Sequence, residues 1–300
     1  MGTEAFHPEL RRIARFLPRA ATGPRTLKLS KSLSKLSTRK LPAGVVEAPT
    51  GSTQVRLYGW TPDATPRPAL LWIHGGGYVL GSPAQDDEVC SYLAAQVGIS
   101  VASVRYRLAP QHPFPAGLDD CYEALTWLAH QPSVDEQRLA IGGASAGGGL
   151  GAALALMARD KAELAPAFQL LSYPMLDDRT ALRTDIDQRN FRLWNNKANR
   201  FGWESYTAQP VGSPEISYLA APGRCEDLSG LPATWLGVGT LDLFHDEVVS
   251  YADRLREAGV RCELEVVPGA FHGFDSVRPK TGVVRAFRAS QADALRAALL

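Results

Sequence analysis

The feature that most constrains this chain is Leu139-Ala140-Ile141-Gly142-Gly143-Ala144-Ser145-Ala146-Gly147-Gly148-Gly149-Leu150. An apolar run reads as a buried strand, glycines interrupt it at once, and a stretch rich in Ala, Leu and Met reads as a helix. A strand that turns straight into a helix leaves one residue strained at the apex, and the flanking positions must be small so that backbones can approach. Gly143 and Gly147 supply that room around Ser145, with Ala144 and Ala146 nearly as small. The helix also aims its N-terminal amides at the serine, where negative charge would be stabilised. A glycine-rich turn carrying an ordinary serine fits the same letters, so the rest of the chain has to decide.

The rhythm around this stretch predicts an α/β protein. Residues 45–47 and 54–60 read as a strand pair around Pro49-Thr50-Gly51-Ser52, and further strands are expected at 69–73, 99–104, 138–142, 168–172, 233–239 and 261–267. Helices are expected near 85–97, 116–130, 146–159 and 245–258, and Val284, Phe287, Leu295 and Ala298 mark one side of a last amphipathic helix. Such alternation implies a mostly parallel central sheet flanked by helices on both faces. Residues 178–220 break the pattern. They hold no strong strand but carry Phe191, Trp194, Phe201, Trp203 and Tyr206, which suits a helical cap or a loop satellite with its own small core. Residues 4–17 have a helical rhythm with Phe6, Leu10, Ile13 and Leu17 on one side, and 18–44 read as a second amphipathic helix or a basic arm with a solvated face.

Composition removes several classes of function. A net charge of +1 over 300 residues gives no electrostatic footprint for nucleic acid. No apolar stretch reaches the length of a membrane span, and Arg11, Arg12, Arg15 and Arg19 interrupt any signal-peptide core. Cys90, Cys121, Cys225 and Cys262 are widely spaced and read as reduced thiols rather than zinc ligands or a disulfide framework. The expectation is a soluble cytoplasmic protein without a metal.

A serine hydroxyl is a poor nucleophile near neutral pH, so it needs a neighbouring base, itself oriented by a third group. His7 and His130 lie in helices, where surface positions are the default; His112 sits in a proline-rich loop and suits loop packing. His245 opens a helix too close to the best acid, and His74 precedes three glycines that it would hold by hydrogen bonds. His272, in Pro268-Gly269-Ala270-Phe271-His272-Gly273-Phe274, follows a strand and can reach the crevice where open α/β sheets bind ligands. Asp242 follows the preceding strand and is the expected acid; Asp246 and Glu247 are rivals, but acids at a helix start have a dipole reason of their own. The order Ser145, Asp242, His272 suits nucleophile, acid and base. Donors for a tetrahedral oxyanion are expected from the amides of Gly76 and Gly77, just after a buried strand, and from that of Ala146 after the serine.

These residues together resemble the hormone-sensitive lipase-like esterases, bacterial family IV of the α/β-hydrolases. The resemblance runs from about residue 45 to the end, through His74-Gly75-Gly76-Gly77-Tyr78, Tyr106-Arg107-Leu108-Ala109-Pro110, His112-Pro113-Phe114-Pro115-Ala116, Gly143 to Gly148, Asp242 with Asp246-Glu247, and His272-Gly273-Phe274. It implies that residues 1–44 and 178–220 form a cap on a catalytic domain at 45–300. It also implies hydrolysis of short- to medium-chain carboxylic esters without a cofactor, with a small-molecule ester as substrate and a homodimer as assembly. A binding protein on the same scaffold, an amidase or a lactonase are the other readings. Three positions depart from the family pattern: Ala144 where Asp or Thr is common, Gln111 for Glu, and Gly149 for Asn.

Overall fold

A computed structural model describes residues 5–20, 41–62 and 65–300; most of the basic segment expected at 18–44 lies outside them. Eight strands, β1 (Val46–Pro49), β2 (Gln54–Tyr58), β3 (Arg67–Ile73), β4 (Ser100–Arg105), β5 (Val134–Ala144), β6 (Phe168–Ser172), β7 (Ala233–Leu241) and β8 (Cys262–Phe271), form one sheet. Their order is β1-β2-β4-β3-β5-β6-β7-β8. β1 and β2 pair antiparallel, as does β2 with β4, and every later neighbour is parallel. Helices Asp87–Val97, Ala116–Ala129, Ala146–Lys161, His245–Glu257 and Gly282–Leu299 connect and cover the strands. Because both faces are covered, the central strands are apolar throughout: Leu70, Leu71, Ile73, Ala140 and Ile141 are all buried.

β3 and β7 run two residues past their expected bounds, and β5 and β8 run further. β5 begins at Val134 because a single pairing, Arg67 with Val134, precedes a register shift, and its first turns of chain are polar and partly exposed. β8 runs on to Phe271, beyond an irregularity that brings Leu241 opposite Phe271. Pro268 and Gly269 are thus part of the strand, not of a loop. His272 follows it directly.

The carboxyl ends of β3, β5 and β6 lie level, and β7 and β8 run on together beyond them: Ile73 pairs with Gly143, Ala144 with Ser172, Ser172 with Gly237, and Leu241 with Phe271. The residue after each of these five strand ends falls on the carboxyl side of the sheet: His74, Ser145, Tyr173, Asp242 and His272. A doubly wound sheet offers its binding crevice along this rim.

The N-terminal segment is less helical than its rhythm implies. Among its described residues only Arg11–Ala14 is α-helix, and the buried side chains are Phe6, Leu10 and Ala14, with Ile13 and Leu17 partly covered. The backbone is recruited elsewhere: His7 N donates to Gly269 O at 2.9 Å, and Phe6 packs edge-on against Phe271. Glu9 accepts from Gly282 N at 3.1 Å and Val283 N at 2.7 Å, capping the last helix; those amides hold its carboxyl below the usual range. Between β6 and β7, residues 178–220 contain a 3₁₀ turn, Asp178–Leu182, and one α-helix, Asn196–Thr207. Asn195 caps that helix through its side chain on Ala198 N, and Ala208 ends it in the left-handed conformation.

Candidate active site

Ser145 stands at the apex between β5 and helix Ala146–Lys161 with φ 57° and ψ −122°, a conformation that side chains other than glycine rarely adopt. Its neighbours explain why the surrounding residues are small. A methyl group on Gly147 would fall 2.0 Å from Ile73 O, and one on Gly143 would fall 2.5 Å from Gly147 O. One on Gly75 would meet Ala144 O at 2.9 Å, so the glycine loop after β3 also lies directly against the apex. Ser145 N donates to Ser172 O at 2.9 Å, and Ser145 O accepts from Met175 N at 3.0 Å, which ties the apex to the next strand as well.

Asp242, His272 and Ser145 form a hydrogen-bonded chain. With its proton on Nδ1, His272 donates to Asp242 Oδ2 at 2.8 Å, and its Nε2 accepts from the Ser145 hydroxyl at 2.9 Å. Asp242 Oδ1 accepts from Phe244 N at 2.9 Å, which fixes the carboxylate plane. Exposures of 7% for Ser145, 3% for Asp242 and 8% for His272 put the chain of bonds out of bulk water, where its electrostatics are strong. The imidazole is boxed by three rings: Tyr173 at 4.9 Å, Phe244 at 5.2 Å and Trp194 at 6.2 Å between centroids.

Gly76 and Gly77 turn with φ of 124° and 60°, which only glycine adopts easily. Among the described residues their amides, like that of Ala146, donate to no protein group, whereas Gly76 O accepts from Val79 N and Leu80 N. His74 braces this loop. Its ring stacks on Tyr106 at 4.3 Å, its Nδ1 lies 2.8 Å from Gly75 O, and its own carbonyl accepts from Tyr106 Oη at 2.9 Å. Burial pushes His74 down to about 4, so the ring is neutral near pH 7.

The other candidates fall elsewhere. His112 is exposed rather than packed, although its amide closes the proline-rich loop onto Leu108 O. His130 is exposed at a helix end and His7 half-buried. His245 pairs with Asp246 at 2.9 Å, and Asp246 also binds Arg183. Glu247, named in the sequence only as a rival acid, is half-buried and accepts from Leu176 N at 2.7 Å, Asp177 N at 3.4 Å and the Thr180 hydroxyl. It thereby holds the strand-to-insertion turn whose Met175 grips Ser145, and burial pushes its carboxyl up. Sequence reasoning did not find Tyr173, which sits at φ 38° and donates to the buried Asp275 at 2.6 Å, nor single out Trp194. Tyr173 had one available signal, its place directly after a buried strand; Trp194 had none beyond being aromatic.

Comparison with known proteins agrees with this architecture. Residues 70–276 match the family described as alpha/beta hydrolase fold. The ethyl acetate hydrolase of Pseudomonas putida is 38% identical over 228 residues, covering 73% of this chain and 70% of that one. Esterase LipI of Mycobacterium tuberculosis is 33% identical over 235 residues, 76% of this chain and 73% of that one. Among solved structures, a bacterial heroin esterase superposes with a TM-score of 0.87 at 35% identity, covering 99% of each chain. The chain belongs to the α/β-hydrolases, in the hormone-sensitive lipase-like branch that its motifs resemble.

Proposed function

We propose that this protein is a serine carboxylesterase acting on short- to medium-chain carboxylic esters, with Ser145, His272 and Asp242 as its catalytic residues. The observation that carries the reading is the continuous chain from the Ser145 hydroxyl through His272 to Asp242, at 2.9 and 2.8 Å. Ser145 attacks the ester carbonyl while His272 takes its proton, and Asp242 steadies the imidazolium and fixes the tautomer. The carbonyl oxygen becomes an oxyanion and receives hydrogen bonds from the amides of Gly76, Gly77 and Ala146, assisted by the N-terminal end of helix Ala146–Lys161. His272 returns the proton to the leaving alkoxide. Water, deprotonated by His272 in turn, attacks the acyl-enzyme and frees the acid. The names of the relatives, esterases and an ethyl acetate hydrolase, support an ester as the substrate.

Residues 178–220 and the first 44 act in this reading as the cap over a catalytic domain at 45–300, supported by the contact between the two: Leu193 N donates to Pro18 O at 2.8 Å. The cytoplasmic assignment rests on four unpaired cysteines, which suit a reducing compartment; no helix among the described residues is long and apolar enough to cross a membrane. Labelling with a fluorophosphonate followed by peptide mapping tests the site. The tag is expected on Ser145 alone and absent from Ser145→Ala, with p-nitrophenyl acetate turned over by the unsubstituted protein. A tag elsewhere, or none on folded protein, would overturn the assignment.

A further inference from the structure

We infer that Trp194 selects the alcohol half of the substrate: its indole is a fixed wall on the leaving-group side and favours esters of slim alcohols, linear or flat, over those of thick saturated ones. The inference rests on the ester-hydrolase reading above and narrows it.

Trp194 comes from the segment between β6 and β7, two positions before helix Asn196–Thr207, and is 5% exposed. Its ring spans two parts of the site that belong to different strands. A methyl group on Gly77 would fall 2.2 Å from Trp194 Cη2, and the three nearest atoms it would meet are all indole carbons. The indole also lies 6.2 Å from the His272 ring, tilted by 37°. Tyr173 and Phe244 also pack on the imidazole, edge to face, but Tyr173 is tied to Asp275 and Phe244 is wholly buried.

The chemistry assigns the side. The leaving oxygen must come within hydrogen-bond reach of His272 Nε2 to take its proton, while the carbonyl oxygen faces the amides after His74. A side chain packed on both the imidazole and the Gly77 backbone therefore stands beside the alcohol and not beside the far end of the acyl chain.

A wall discriminates only if it cannot retreat, and this one is backed on several sides. Leu193 holds the left-handed conformation at φ 66°, with its amide bonded to Pro18 O. Trp194 Nε1 donates to Asn199 Oδ1 at 3.5 Å, and a methyl group on Gly202 would sit 3.5 Å from Trp194 Cζ2. The indole is thus held between the glycine loop and its own helix.

The test compares methyl, butyl and cyclohexyl acetates as substrates of the full-length protein, Trp194→Ala and Trp194→Phe, with p-nitrophenyl acetate and octanoate reporting the acyl side. Trp194→Ala is expected to raise the cyclohexyl-to-methyl ratio of kcat/KM by about tenfold or more, with Trp194→Phe intermediate, the range a few methylenes command in an apolar pocket. The octanoate-to-acetate ratio is expected to stay within about twofold on the same scale. An unchanged alcohol ratio in protein that still takes the fluorophosphonate on Ser145 would overturn the inference, as would a shift confined to the acyl series. If Trp194→Ala fails to fold, Trp194→Phe decides by the same ratios. Failure of the ester reading has a different signature: no acetate is turned over by the unsubstituted protein.

Discussion

The apex at Ser145 and the segment 178–220 meet at the same site but are built in opposite ways. At the apex, backbone rests on backbone: Gly143 and Gly147 are each hemmed in by carbonyl oxygens, and no side chain lies between. In the segment, contact is made by large rings and long side chains: Trp203 and Tyr206 on Tyr78, Trp194 on Gly77, Arg192 over Phe6. Backbone contacts allow almost no substitution, whereas side-chain contacts can be repacked at moderate cost. The first arrangement fixes where a reaction happens, and the second shapes what reaches it.

The largest expected effect lies at the apex. Ser145→Ala should lower kcat by about 10⁴-fold or more, and Asp242→Asn by roughly 10⁴-fold with the fold intact. Steady-state turnover of p-nitrophenyl acetate beside a thermal melt separates chemistry from folding; near-normal rates in either variant would refute the assigned roles. Next is Gly147→Ala, whose added carbon has only the carbonyls of Ile73 and His74 to displace. A loss of about 1–3 kcal/mol or more is expected in chemical denaturation, with reduced labelling of Ser145. Denaturation unchanged from the parent would show that the apex yields more readily than its packing implies.

A pH test sharpens the comparison on the framework side. Asp86, bonded to Trp72 Nε1 at 2.8 Å, is pushed up to about 7, chiefly by burial, from an ordinary 3.8. The folded state then keeps a proton that the unfolded chain releases, so stability falls as pH rises from about 4 to about 7 and levels off above. Asp86→Asn keeps an acceptor for the indole and removes the ionisation. Its melting temperature relative to the parent should be higher at pH 8 than at pH 4; an equal difference at both would mean that Asp86 ionises normally. The smallest effect is expected in the segment, where Arg192 lies over the Phe6 ring at 4.8 Å and donates to Ala14 O. Arg192→Ala should cost about 0.5–1 kcal/mol by the same melts, with turnover of methyl acetate little changed. A larger loss would mean that the N-terminal segment is a structural keystone.

The same contrast explains what could be read in advance. Strands such as 69–73 and 168–172 declare themselves because they are covered on both faces and so are apolar throughout. The glycines around Ser145 are legible because the constraint on them is local: small residues where a strand becomes a helix. The extension of β8 to Phe271 was hidden, since Pro268 and Gly269 read as a loop and are tolerated only because the strand lies at the sheet edge. The short helix at Arg11–Ala14 was overestimated because Phe6, His7 and Glu9 serve partners at Phe271, Gly269 and Gly282, at the other end of the chain, which no periodicity records. Trp194 was invisible as a particular residue for the same reason. Its neighbours Gly77 and His272 are distant in the chain, and among six aromatics in one segment nothing marks it out.

Gly223 N donates to Leu176 O at 2.9 Å. The polypeptide enters the segment 178–220 just after Leu176 and leaves it just before Gly223, so everything in between is a detour whose two feet are held one hydrogen bond apart. A replacement of different length or composition needs to satisfy just that narrow gap. Grafting segments between these two points, with the crossover to β7 untouched, is a route to new selectivities on an unaltered chassis.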